Sequence, residues 1–289
     1  MTLPEDLLLS EIEKNASLPE IVAAAKYLNT IYNVFSIDSI LWQEVKSAFN
    51  PVHSQIFGKY SDLIIANKFI NRLILKYYPS ERAVKYALVE KLKSKPDTVI
   101  FEMPVLESRI DVGRINGYSF AYEIKTELDS LRRIKKQISD YSQIFEYVTL
   151  VISPSFLEEV LTIAPMHCGI WTYSHDQHTG KISFTTKKSA KRSPHICPYS
   201  QLQCLSQQSL LRILKDKRIK KVPANKDERI QLITTVYAPR TINFKFKSIV
   251  REIYDPQWDF VRERYSSILP IDLQPIFSSS TEPALLYSK

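Results

Sequence analysis

Apolar residues in the first quarter of the chain return every three to four positions. The stretches PEIVAAAKYLNTIYNVF and SDLIIANKFINRLILKYY both carry this period, which predicts amphipathic helices across residues 4–78. Pro79-Ser80 interrupts the pattern. Ser80 is placed to cap a helix over residues 81–93, in which Ala83, Val84, Ala87, Leu88 and Leu92 form the inward stripe. Glu81 and Lys85, four apart, share a different face of that helix.

The period then changes from 3.6 to 2. In TVIFEMPVL, Val99, Phe101, Met103 and Val105 alternate with Ile100 and Glu102, predicting a strand. A second strand around residues 109–112 leads to a hairpin at Asn116-Gly117, a dipeptide that tolerates positive φ. A third, over 118–126, alternates Tyr118, Phe120, Tyr122 and Ile124 against Ala121, Glu123 and Lys125, so Glu123 and Lys125 project from one face. Leu131, Ile134, Ile138, Tyr141 and Phe145 mark a helix, YVTLVIS a buried strand, and residues 170–173 a further strand. Helix, three strands, helix, strand is the order of an α/β sandwich around a mixed sheet. Beyond it, the polar residues 175–198 are expected to form an extended loop. Helices are expected over 202–214, 226–237, 244–254 and 258–265, and the ending SSSTEPALLYSK is expected to be mobile.

Composition narrows the classes. A chain of 289 residues, 44% hydrophobic and 24% charged, is ordinary for a globular protein of one domain with appendages or two small ones. No apolar run approaches the roughly 18 residues of a membrane span, and the acidic N-terminus does not resemble a signal peptide. Three cysteines, Cys168, Cys197 and Cys204, form no even framework, which suits a reducing cytoplasm. The five glycines make neither a GxxxxGK[ST] nor a GxGxxG motif, which argues against a nucleotide cofactor. The net charge of +8 is concentrated: residues 166–253 hold 17 Lys/Arg against 5 Asp/Glu, while the remainder is near balance. Such a lobe suits a polyanionic partner, although a solvated basic face has the same composition. The chain therefore divides into a helical region (1–79), an α/β core (80–175) and a basic, mostly helical lobe (176–289).

The candidate chemistry lies in RIDVGRINGYSFAYEIKTELDSLRRIKKQISDY. The hairpin sets Asp111 against Glu123 on neighbouring strands, with Lys125 on the same side as Glu123. Two carboxylates can share Mg²⁺, a hard cation with oxygen ligands for which Mn²⁺ can substitute, and a neighbouring lysine can orient or help deprotonate water. That is the equipment for phosphodiester hydrolysis. A Glu-x-Lys triplet alone means little: Glu44-Val45-Lys46 has the same spacing inside a helical pattern. Context distinguishes the 123–125 triplet.

With that context the segment resembles the PD-(D/E)XK nuclease superfamily. Asp111, the E-I-K triplet and a helix with Gln137 and Tyr141 look like its RecB-like branch with a Q-x-x-x-Y helix, and YEIKTELDSLRRIKKQISDYSQIFEYV resembles a bacterial group within it. Ile110 stands where the superfamily's nominal proline would be. The resemblance covers roughly residues 75–175 and implies a restriction-endonuclease-like three-layer sandwich. It implies Asp111 and Glu123 as metal ligands, with the Ile124 carbonyl as a third and Glu81 and Glu102 completing the shell or orienting Lys125. Lys125 would position or activate water, with Gln137 and Tyr141 facing the site; Tyr141 also fits the buried stripe. Arg109, Arg132, Arg133, Lys135 and Lys136 are candidate phosphate contacts.

Other clusters are less organised. His167, Cys168, His175, His178, His195, Cys197 and Cys204 lack the spacing of a structural zinc site. Tyr237, Phe244, Phe246 and Tyr254, interleaved with basic residues, can stack on bases or pack in a helical core. The expectation is a Mg²⁺-dependent deoxyribonuclease, with RNA as substrate and a homodimer left open. The alternatives are a non-catalytic nucleic-acid-binding module, or a partner-binding protein whose acidic–lysine cluster is an internal ion-pair network.

Overall fold

The helical periodicity of the N-terminal region is realised as α1 (Pro4–Asn15), α2 (Leu18–Ile31), α3 (Asp38–Ala48), α4 (Ser54–Ser61), α5 (Ala66–Tyr77) and α6 (Glu81–Leu92). The computed structural model describes residues 3–93, 97–215, 217, 219 and 222–288. Ser80 caps α6 as its position implied, accepting the Ala83 N–H at 3.3 Å. Lys85, expected on an outer face, is instead buried: its ammonium pairs with Glu81 at 2.6 Å and donates to Gln274 at 3.0 Å.

The chain forms two compact units, each discontinuous in sequence. One comprises Met1–Glu90, Ser174–Ser183 and Asp259–Lys289, the other Lys91–Tyr173 and Phe184–Trp258. These boundaries differ from a consecutive division at 79 and 175, because later segments of the chain return to the N-terminal helices. In the first unit Leu8, Ile12, Leu28, Phe57, Phe69, Ile70 and Leu73 pack one apolar core, which Ile271 joins.

The sheet strands are β1 (Thr98–Phe101), β2 (Pro104–Val105), β3 (Ser108–Arg109), β4 (Val112–Asn116), β5 (Tyr118–Lys125), β6 (Tyr147–Ile152), β7 (Gly169–Asp176) and β8 (Lys181–Lys188). Six of them form one mixed sheet in the order β1-β4-β5-β6-β7-β8, and β2 and β3 form a separate hairpin. β4 lies antiparallel to β1 and β5, whereas β5, β6 and β7 run parallel. The antiparallel turn closes at Gly117, whose φ of +65° glycine adopts without penalty. The parallel step from β5 to β6 requires a crossover, supplied by α7 (Ile134–Ile144). All of β6 after Tyr147 is buried, the mark of a strand covered on both faces. Mixed sheet and flanking helices make the α/β class expected from the sequence, and are consistent with a three-layer sandwich.

Three local expectations need correction. The run TVIFEMPVL is not one strand. It breaks at Glu102, whose φ of +52° turns the chain from β1 into β2. Likewise the second strand is split, into β3 and β4, with Asp111 between them. Residues 175–198 are not simply a loop, because β7 runs to Asp176 and β8 follows. Half-buried Ile182 and Phe184 alternate there with exposed neighbours, and the lysines at this sheet edge discourage further pairing.

Beyond α8 (Leu157–Ile163), α9 (Pro198–Gln203) and α10 (Gln207–Lys215) divide the stretch expected as one helix, and α11 (Lys226–Val236) follows. The reverse holds for residues 244–265: α12 (Pro239–Glu263) is a single helix with Pro256 inside it. Buried Phe246, Val250, Trp258 and Val261 keep a helical spacing across the proline. The ending is not loose among its described residues, Lys289 lying outside them. After α13 (Leu273–Ser279), α14 (Pro283–Leu286) brings Tyr287 to Asp272 at 2.8 Å. Among the described residues no helix is long and apolar enough to cross a membrane.

Asp272 makes a test of the first unit. It is fully buried, accepts hydrogen bonds from Tyr32 and Tyr287, and burial pushes its carboxyl up to about 6. The folded state thus holds a proton that the unfolded chain has released, so stability falls as pH rises through the window from about 4 to 6. The full effect is about 3 kcal/mol, since each tenfold difference in proton affinity between the two states is worth about 1.4 kcal/mol. Replacing Asp272 by Asn should flatten this part of the stability profile, measured by urea unfolding at about pH 4.5 and about pH 7. An unchanged slope would show that Asp272 does not carry it.

Candidate metal centre at the end of strand β5

The register of β4 against β5 places Val112 opposite Tyr122, so the next residues outward, Asp111 and Glu123, face each other at the end of the ladder. Asp111 accepts the Ile124 N–H at 2.6 Å, which anchors its carboxylate to the strand that carries Glu123. A strand residue presents its N–H and C=O to the same neighbour, so the Ile124 carbonyl also faces the Asp111 side. The adjacent Lys125 carbonyl turns the other way and accepts the Ser153 N–H at 2.8 Å.

Glu102 comes to the same place because β1 pairs Phe101 with Val112, which sets Glu102 opposite Asp111. Its N–H donates to the Asp111 carbonyl at 3.3 Å, and carboxylate oxygens of the two side chains lie within 4.8 Å. Its left-handed backbone costs about 1 kcal/mol or more for a residue with a side chain, and such strain tends to collect at functional sites.

Glu123 is only 1% exposed. Lys125 donates to its Oε1 at 2.6 Å and Gln137 donates to the same oxygen, while Tyr141 O–H lies 2.7 Å from Oε2 and 2.6 Å from the Arg109 carbonyl. Gln137 and Tyr141 reach it because they stand one turn apart on α7, whose inward face also buries Ile134, Ile138 and Ile144. Tyr141 is therefore at once part of the buried stripe and a partner of Glu123. Desolvation pushes the Glu123 carboxyl up against the opposing pull of Lys125, Tyr141 and Gln137. The Glu123 charge keeps Lys125 above the usual ammonium range despite burial, so the lysine is a fixed cation at neutral pH. Tyr141 is pushed up by burial and stays a neutral donor. Gln137 Oε1 is buried and has no hydrogen-bond partner among the described residues.

Among the remaining candidates, Glu81 belongs to the first unit and pairs there with Lys85. Arg109 is exposed, 3.7 Å from Glu102, and Arg132, Arg133 and Lys135 are exposed at the start of α7. Lys136 is less available as a phosphate contact, because Asp140 holds it at 2.8 Å and Glu107 at 3.3 Å. Asp140, buried and also bound by Ser108 at 2.7 Å, escapes a reading of the sequence, since its i,i+4 link to Lys136 looks like any surface pair.

The donor set fits a magnesium ion. Asp111, Glu102 and the Ile124 carbonyl offer hard oxygen ligands from neighbouring strands. Glu123 is the exception: three protein donors already occupy it, so its larger part is to hold Lys125.

Fold and site together define a mixed α/β protein with a buried carboxylate–lysine cluster at the end of its sheet. The chain belongs to the family described as Bacteriophage P4 protein cII, which matches residues 76–276. Protein cII of Enterobacteria phage P4 is 41% identical over 113 residues, a segment that spans 37% of this chain and 43% of that relative. A solved protein of unknown function from Silicibacter pomeroyi aligns with 50% of this chain and 96% of its own at 16% identity and a TM-score of 0.32.

Lys125→Met leaves Glu123 a buried charge without its cation and should lower stability by about 3–5 kcal/mol in urea unfolding at neutral pH. Adding Glu123→Gln, which keeps the shape and removes the charge, should restore most of the loss. A double variant as unstable as the single one would mean that Lys125 stabilises the fold by packing rather than by charge.

Proposed function

We propose that the protein is a metal-dependent nuclease that hydrolyses phosphodiester bonds in DNA. The observation that carries this reading is the opposition of Asp111 and Glu123 across β4 and β5, with Lys125 fixed on Glu123 and Glu102 set beside Asp111. Asp111 and Glu102, with the Ile124 carbonyl, would hold Mg²⁺. The bound ion supplies charge neutralisation at phosphorus and lowers the pKa of water.

The chain's own groups do the rest. Lys125 keeps its proton and so acts by charge and hydrogen bonding: its ammonium orients the attacking water and offsets the negative charge that develops on the phosphoryl oxygens. Glu123 fixes that ammonium at 2.6 Å and cannot swing away, because Gln137 and Tyr141 hold both its oxygens. Gln137 and Tyr141 are therefore positioning residues. Arg109, exposed beside Glu102, and the exposed Arg132 and Arg133 at the start of α7 would receive flanking phosphates. DNA is proposed as the substrate, in a cytoplasmic setting and without a nucleotide cofactor.

Asp111→Asn keeps an acceptor for the Ile124 N–H while removing the charge that a metal requires. It should lower Mg²⁺- or Mn²⁺-dependent cleavage of linear and circular DNA by at least about 100-fold. It should also remove the rise in thermal midpoint that millimolar Mn²⁺ gives the parent protein. Cleavage and metal stabilisation equal to the parent's would eliminate the nuclease assignment.

A further inference from the structure

At the other end of β5 lies a second charged cluster that the cleavage site does not use. Glu146, 1% exposed, accepts from Arg192 at 2.9 Å, Lys247 at 2.9 Å and the Ser119 N–H at 3.1 Å. These contacts pin both cations to the wall of an open cleft of about 760 Å³. Arg240 adds a third, exposed and without a hydrogen-bond or ion-pair partner among the described residues. Three cations against one buried carboxylate leave the cleft clearly positive.

Two aromatic rings share it. Phe244 is 69% exposed although its helix neighbours Ile242 and Phe246 are buried, and it lines both this cleft and an adjoining pocket of about 160 Å³. Tyr118 is 50% exposed, set edge-on to Tyr147 at 5.6 Å and held under the Lys247 ammonium. A single exposed phenylalanine is ordinary on a protein surface. One that stands exposed in a cleft lined by cations offers a π-face to a flat ring that arrives with negative charge.

We infer that this cleft binds single-stranded nucleic acid, with phosphates on Arg192 and Arg240 and a base stacked on Phe244. Charge alone would suit a duplex or an acidic polypeptide equally. The exposed ring decides: bases inside a duplex have no free face, and carboxylate side chains have none to offer. The inference deepens the nucleic-acid reading above but does not require hydrolysis. Tyr118 and Glu123 are five residues apart on β5, about 17 Å by strand rise, so cleft and metal centre can be disabled separately.

The test is fluorescence anisotropy of a labelled oligothymidylate with the full chain in EDTA, where no cleavage occurs. Phe244→Ala should weaken binding roughly 5- to 150-fold, with an unchanged thermal midpoint because the ring is exposed. Arg240→Ala should reduce the slope of log affinity against log salt by about 0.7, the loss of one phosphate contact to a single strand. Three results would each overturn the assignment: no binding at low salt, binding indifferent to both cleft substitutions, or equal affinity for a same-length duplex or polyglutamate. Each leaves the nuclease reading standing if Asp111→Asn still abolishes cleavage, and cleavage that survives Asp111→Asn removes that reading without touching the cleft.

Discussion

A carboxylate inside a protein must be compensated where it sits, and the second unit is organised around doing this for Glu123. Removing such a group from water costs several kcal/mol unless donors and a counter-charge replace the lost hydration. Lys125 supplies the charge from the same strand, and Gln137 and Tyr141 supply donors from α7. Tyr141 also lies within hydrogen-bonding distance of the Arg109 carbonyl, so β3, β5 and α7 are tied to one another through a single side chain. The crossover helix is thereby locked in rotation: a shift of one residue would withdraw both donors. Stability and proposed chemistry depend on the same carboxylate.

The two ends of β5 solve the same problem with different consequences. Glu146, like Glu123, is buried and satisfied by cations and a backbone or side-chain donor. Around Glu123 the lysine is almost enclosed, which keeps it fixed beside Asp111. Around Glu146 the arginine is 61% exposed, so its remaining donors are free to meet an anion. One strand thus joins a rigid polar centre to an open basic cleft.

Much of this was legible in the sequence wherever one period prevailed. Alternation along Tyr118–Lys125 placed Glu123 and Lys125 on one face, and the Asn116-Gly117 turn set Asp111 against Glu123. The Ser80 cap and the α7 stripe were equally plain. What escaped was decided by single residues against the local pattern. TVIFEMPVL reads as an unbroken strand because nothing in it announces that Glu102 adopts a left-handed backbone. Lys181–Lys188 hid its alternation under lysines and threonines, and the two helices expected over 244–254 and 258–265 are one because buried residues on both sides of Pro256 sustain it. Glu146 is hidden for a different reason. Its partners Arg192 and Lys247 are far away in sequence, and no local signal links them.

The central claim, that the strand end carrying Asp111 is a divalent-cation centre, is tested most directly by anomalous scattering. A crystal grown with millimolar Mn²⁺ and measured near the manganese edge should show a peak about 2.1 Å from a carboxylate oxygen of Asp111, with Glu102 or the Ile124 carbonyl also in contact. Ordered side chains at Asp111 and Glu102 with no peak between them, at the same Mn²⁺ concentration, would contradict it.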